Sequence, residues 1–165
     1  MTAAFEELIH LLDEREIGYA TGDDLSVRTD LRGVVATYRI VARVEAEADL
    51  FQVFGYSPLR VPAGCRPAVA EAVARANYGL RFGKFELDCD DGDMRFQVSQ
   101  ILTGDAVGEE VIDRMIGTAI NMLDMYLPAF LSVIYGNDLP KDAIRCVEAG
   151  RGGGTSEDGE GGTDE

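Results

Sequence analysis

The sequence predicts an α+β domain: an antiparallel sheet with helices packed on one face, in the order α-β-β-β-α-β-β-α. Three observations carry this. Residues 83–99 alternate apolar and polar on either side of an Asp91-Gly92 dipeptide, the pattern of a β-hairpin. Residues 34–45 alternate with the same period of two. Residues 2–16, 66–78 and 109–135 instead space their apolar side chains three and four apart, the period of a helix buried along one stripe.

The first helix spans Thr2 to Glu16, with Phe5, Leu8, Ile9 and Leu12 on its stripe, Thr2 as N-cap and Gly18 as the stop. Ser26 to Asp30 reads as a short strand and Asp30 to Gly33 as a turn. The next strand, Val34 to Glu45, places Val34, Ala36, Tyr38, Ile40, Ala42 and Val44 toward a core; the residues between them are mostly solvated. A tight connection at 46–49 leads to Leu50–Tyr56, which is apolar on both faces, so its register is open.

Arg66 to Tyr78 is the second helix, with Pro67 at a position where a missing N–H costs little. In the hairpin that follows, a two-residue Asp91-Gly92 loop would set Cys89 opposite Met94, Leu87 opposite Phe96 and Phe85 opposite Val98 on the apolar side. Asp88 would then face Arg95, Glu86 would face Gln97 and Lys84 would face Ser99 on the wet side. Cys89 is thereby expected as a buried, inert thiol.

Glu109 to Tyr135 is the longest helix, its core stripe running from Ile112 to Ile134. Pro128 should kink or divide it, at a cost of about 3 kcal/mol, and Gly136 should occupy C′. A second apolar surface, Val111, Met115, Met122, Met125 and Val133, is the expected partner or dimer surface. Pro140 to Val147 is a short closing helix. Residues 1–148 are expected to form one domain, and 149–165 a disordered, acidic, Gly-rich tail with nothing apolar to offset ordering entropy.

Composition narrows the function. Of 165 residues 46% are hydrophobic, enough to fill a core, and 30 acids against 15 bases give a formal charge of -15. That charge argues against unaided binding to nucleic acid or to an anionic membrane. It fits a basic partner or a salty cytosol. Only Lys84 and Lys141 are lysines, which suits either a salt-adapted source or GC-rich coding. Three scattered cysteines, Cys65, Cys89 and Cys146, point to reduced thiols, and no basic leader precedes Glu6 and Glu7; the expected location is the cytoplasm.

Chemical machinery is not evident. His10 is the single histidine, so a multi-histidine zinc site is excluded. No serine lies in a G-x-S-x-G setting and no glycine run has Walker A spacing. The acids Asp88, Asp90, Asp91 and Asp93 fail calcium-loop spacing, with Gly92 at the fifth position and Ser99 at the twelfth. No catalytic, cofactor or metal residue is assigned.

The pattern resembles the YbjN-like family, grouped as bacterial sensory transduction regulators. The likeness is carried by Pro62 to Asn77, by Gly83-Lys84-Phe85-Glu86-Leu87-Asp88, by Asp91-Gly92-Asp93-Met94-Arg95-Phe96, and by Pro128, Gly136 and Pro140 with Ala143-Ile144, across residues 5–147. The resemblance implies a fold similar to type III secretion chaperones and a non-enzymatic role, and it supplies no catalytic residues. The leading expectation is therefore a cytosolic, homodimeric interaction protein, chaperone-like or regulatory, with an unknown protein partner. A small-molecule or divalent-metal-binding domain using the Asp88–Asp93 tip or a pocket under the kinked long helix remains the rival, and an enzyme with carboxylate chemistry the third reading.

Overall fold

The computed structural model describes residues 2–150. It is an α+β fold with one six-stranded antiparallel sheet, in the order β1-β2-β3-β4-β6-β5. The elements are α1 (Ala3–Glu14), β1 (Ala20–Thr21), β2 (Ser26–Arg32), β3 (Thr37–Glu45), β4 (Leu50–Tyr56), α2 (Arg66–Tyr78), β5 (Lys84–Leu87), β6 (Met94–Ile101), α3 (Glu109–Tyr135) and α4 (Pro140–Ala149). The expected order holds, with the two-residue β1 added at one edge and the expected helix after α3 present as α4, the last of the described elements. Beyond residue 150 the expected tail lies outside the described residues.

Strand parity decides the two faces. Tyr38, Ile40, Ala42 and Val44 of β3, Phe51 and Val53 of β4, and Met94, Phe96 and Val98 of β6 are all buried in one cluster with α1, α2, α3 and α4. The register left open for β4 is settled by its neighbours: Val53 pairs with Ala42 on one side and Val98 on the other. Gly55 lies on the same face, and a Cβ there would sit 2.7 Å from Leu123 Cδ1, so glycine lets α3 approach the sheet. Phe85 sits edge-on to Phe96, Tyr126 and Phe130 with ring centroids 4.8–5.2 Å apart, knitting β5 to α3.

Three helix ends differ from expectation. Thr2 precedes α1, but its hydroxyl makes no cap bond and has no hydrogen-bond partner among the described residues. The donor it would serve, the Ala4 N–H, is taken by the Asp105 carbonyl at 2.7 Å. The stop is Glu16 rather than Gly18: Glu16 adopts φ 55°, and Ile17 N–H reaches Leu12 O at 2.9 Å in a Schellman closure. After α3 the left-handed residue is Asn137 (φ 54°), one past Gly136. Pro128 does not divide α3, whose flanking Leu127, Ala129 and Phe130 are all buried.

The hairpin keeps its faces but not its register. Leu87 pairs with Met94, Glu86 with Arg95, Phe85 with Phe96 and Lys84 with Gln97, two residues off the tight-loop alignment. A two-residue turn of that type needs positive φ at both central positions. Only Gly92 has it (φ 79°); Asp91 does not. The loop is instead closed by Asp88 N–H to Asp93 O and Gly92 N–H to Asp88 O, both 2.8 Å, with Asp88 and Asp91 carboxylates accepting from Asp90 and Asp93 N–H. A slip of two preserves side-chain parity, so Leu87 and Phe96 remain on one face. Cys89 moves into the loop and is exposed, not buried.

Candidate functional site

The side of the sheet opposite the helices is built from alternate residues of five strands. One row crosses it: Glu86, Arg95, Tyr56, Arg39 and Asp30 stand opposite one another on β5, β6, β4, β3 and β2. A parallel row runs Lys84, Gln97, Phe54, Val41 and Arg28. Among the described residues no helix covers these rows.

Arginines cover part of them instead. Phe54 is only 4% exposed, yet it is not part of the helix-side cluster. Its ring lies under two guanidiniums, Arg95 at 4.4 Å and Arg43 at 5.3 Å from the centroid. Arg39 lies over Tyr56 at 4.4 Å. Such stacks combine cation–π attraction with burial of the apolar arginine stem. They satisfy an apolar strip in β4 that would otherwise need another layer of structure.

The electrostatics hold the roof in place. Arg95 Nε donates to Glu86 Oε2 at 2.6 Å and Arg95 Nη1 to Tyr56 Oη at 3.3 Å. Burial works to raise the Glu86 carboxyl, but the hydrogen bonds from Arg95 and Lys84 outweigh it and hold the pKa below the usual carboxylate range. Burial would likewise lower Arg95, and its bonds to Glu86 and Tyr56 turn the balance upward, so it stays charged. Arg43 Nε donates to Gln52 Oε1 at 2.9 Å, which accounts for a glutamine only 6% exposed.

Two shallow hollows flank the first row, of about 300 and 310 Å³, sharing Asp93. One lies between Arg39, Tyr56 and the Ser57–Arg60 loop, the other between Glu86, Arg95 and Asp88. The hairpin tip forms their common wall. It is tied down by Arg60 to Asp91 (2.8 Å), by Arg66 Nη1 to Asp90 O (2.8 Å), and by Val61 N–H to Gly92 O (2.8 Å).

The residues singled out on the long helix are dispersed by the fold. Met115 and Val133 are buried at 0% and 6% exposure in the chain's own core, Met122 and Met125 are half-buried, and Val111 is exposed. Only Val111, Met122 and Met125 are thus open to a partner. The tip acids do not converge on a point: the Asp91 carboxylate is shared between Arg60 and Asp93 N–H, and Asp88 accepts from Asp90. His10 is exposed, 2.7 Å from Glu109, with Glu14 beside them. Cys65 is half-buried, and Cys146 is exposed like Cys89.

The arginine-roofed face was not found from the sequence. Its one local signal was β4 itself, apolar on both sides, whose outward Phe54 and Tyr56 required a cover.

Residues 4–132 match the YbjN family, described as "Putative bacterial sensory transduction regulator". Among solved structures the chain is similar to YbjN from E. coli, whose structure is titled that of "a putative transcription regulator". That likeness has a TM-score of 0.55 at 9% identity and covers 83% of this chain and 93% of the other, so it bears on the fold alone. No curated protein matches the sequence.

Proposed function

Starting from the premise that the chain belongs to the YbjN family, we propose that it is a non-catalytic, regulator-type module that binds a protein partner on the helix-free face of its sheet. The observation that supports this most is Phe54. A large aromatic buried outside the main core, roofed only by arginine side chains, suits a surface on which a partner lies. Grasping an extended segment there, in the chaperone-like manner, suits the two flanking hollows. The β5 edge of the sheet suits it less. The β5 edge is occupied by Asn77, whose side chain accepts from Phe85 N–H at 2.7 Å and donates to Phe85 O at 2.9 Å.

The reading places the protein in the cytoplasm, without a cofactor and without nucleic-acid or membrane partners. The α3 helix is long and apolar enough to cross a bilayer, but its stripe forms the centre of the core. Self-association along α3 through Val111, Met122 and Met125 completes the proposal; light scattering tests it, and a strictly monomeric mass at micromolar concentration removes it.

The docking face is tested by a photo-crosslinking residue at Val41, at the centre of the face, and another at exposed Ala74 on α2, which lies on neither proposed surface. The expected result is a discrete protein adduct in cells from position 41 alone. Equal or absent labelling from the two positions overturns the proposal.

A further inference from the structure

The helix-free face has the opposite charge to the rest of the chain. With 30 acids and 15 bases the formal charge is -15. Yet this face carries Arg28, Arg32, Arg39, Arg43 and Arg95 with Lys84, against Asp30, Glu45 and Glu86 on the strands and Asp88 and Asp93 at the hairpin end. Arg95 and Lys84 share Glu86, and Arg43 approaches Glu45 at 3.7 Å. Among the described residues no ion pair engages Arg28, Arg32 or Arg39. Three exposed guanidiniums with no carboxylate in ion-pair contact among the described residues, grouped around Asp30, form a local cationic patch in a chain with twice as many acids as bases.

Resting on the docking-face reading, we infer that the partner presents an acidic, extended peptide segment whose carboxylates are taken by Arg28, Arg32 and Arg39. A guanidinium offers a planar fork that matches a carboxylate through two parallel hydrogen bonds. The spacing also fits. Alternate side chains of an extended segment lie roughly 7 Å apart. Arg39 stands opposite Asp30, so Arg28 and Arg32 are its diagonal neighbours, at roughly 7–8 Å in an antiparallel pair.

Nucleic acid fits this surface less well. The chain's overall negative charge repels a long polyanion along its whole length. The ring faces on which bases would stack, Phe54 and Tyr56, are already occupied by Arg39, Arg43 and Arg95. A short acidic segment brings few charges and needs no exposed ring.

Fluorescence anisotropy of the full chain with a labelled peptide of alternating Glu and Ser tests the inference, beside a Lys-Ser peptide and a single-stranded oligonucleotide. The Glu-Ser peptide alone should bind. Its affinity should fall about tenfold on Arg39→Gln and again on Arg28→Gln, recover in part with Arg39→Lys, and be unchanged by Arg114→Gln on α3. Absence of Glu-Ser binding, indifference to the Arg28 and Arg39 substitutions, or tighter binding of the oligonucleotide overturns it. The two ideas fail separately. A protein adduct at position 41 without Glu-Ser binding leaves the docking face standing and removes the acidic chemistry. An adduct at position 41 to the chain's own residues 151–165, in place of a second protein, removes the partner in this inference.

Discussion

Asp124 on α3 holds the β2–β3 turn closed through Tyr38. The Tyr38 hydroxyl donates to Asp124 Oδ1 at 2.7 Å, and the same carboxylate accepts from Val34 N–H at 2.7 Å and Val35 N–H at 2.9 Å. A helix side chain thus satisfies backbone donors that the turn itself leaves open. It also fixes where the second and third strands, with Arg32 and Arg39, end above the core. Asp124→Ala should cost roughly 2–3 kcal/mol and Tyr38→Phe about 1. The double variant should fall short of their sum, because both changes remove the same bond. Urea denaturation midpoints of the three variants check this.

The pH dependence follows from the same carboxylate. Burial pushes Asp124 upward, but the bonds from Tyr38 and the turn N–H groups prevail and hold its pKa below the ordinary value. Glu86 is depressed by its bonds to Arg95 and Lys84 against a similar burial effect. A depressed pKa in the folded state means that stability is fully present above the unfolded value, near 4 for a carboxylate. It is lost as pH falls through the folded value. Stability should therefore be flat from neutral pH to about 5 and decline below about 4. Asp124→Asn should make that decline shallower; an unchanged acid limb in urea titrations at stepped pH would contradict the assignment.

Asn77 is expected to matter more than its place at a helix end suggests. Its amide copies a peptide group and pairs with both backbone groups of Phe85. Asn77→Ala leaves a part-buried donor and acceptor without partners, at roughly 1–3 kcal/mol. The Phe85 amide should then exchange with solvent markedly faster, while amides at the centre of β3 change little. Hydrogen exchange read residue by residue tests this.

Two glycines with nearly the same backbone give an internal control. Gly92 (φ 79°) and Gly104 (φ 80°) both sit in the left-handed region. A Cβ at Gly104 meets nothing within 4 Å, whereas at Gly92 it meets the Val61 carbonyl. Gly104→Ala should cost only the backbone strain, about 1 kcal/mol. Gly92→Ala should cost clearly more and loosen the tip from the 57–66 loop. Thermal midpoints of the two variants should differ by several degrees, at about 2–4 °C per kcal/mol for a domain of this size.

Glu7 does for α3 what a local cap would do. Its Oε2 accepts from Val107 and Gly108 N–H, both at 2.9 Å, so a side chain a hundred residues away closes the helix start. Glu7→Ala should cost about 1 kcal/mol, as losing a capping residue does, and Glu7→Gln somewhat less. Calorimetry of the pair distinguishes a cap from a mere surface charge.

Local pattern was enough for much of this molecule. The α2 and β4 spans, the Tyr38–Val44 part of the inward set of β3 and the apolar side of the hairpin follow from period alone, because burial repeats with the geometry of the element itself; Val34, expected inward at the start of that strand, is instead 89% exposed in the turn before it. Parity survived even where the register did not: the loop 88–93 is closed by its own aspartates and anchored to Val61 and Arg66, contacts that spacing cannot show. The caps supplied by Asp105, Glu7 and Asp124 were illegible for the same reason, since each joins segments far apart in the chain.

The candidate site shows the division most clearly. By itself the sequence determined that β4 is apolar on both sides and that the chain is rich in arginine relative to lysine. Only the tertiary structure decided that Arg39, Arg43 and Arg95, from strands on either side of β4, would roof Phe54 and Tyr56, and that Arg28, Arg32 and Arg39 would have no ion pair among the described residues. The physical reason is that a charged surface is a property of neighbours across a sheet. Those neighbours are chosen by long-range pairing and hydrophobic burial on the opposite face, and no local spacing encodes them.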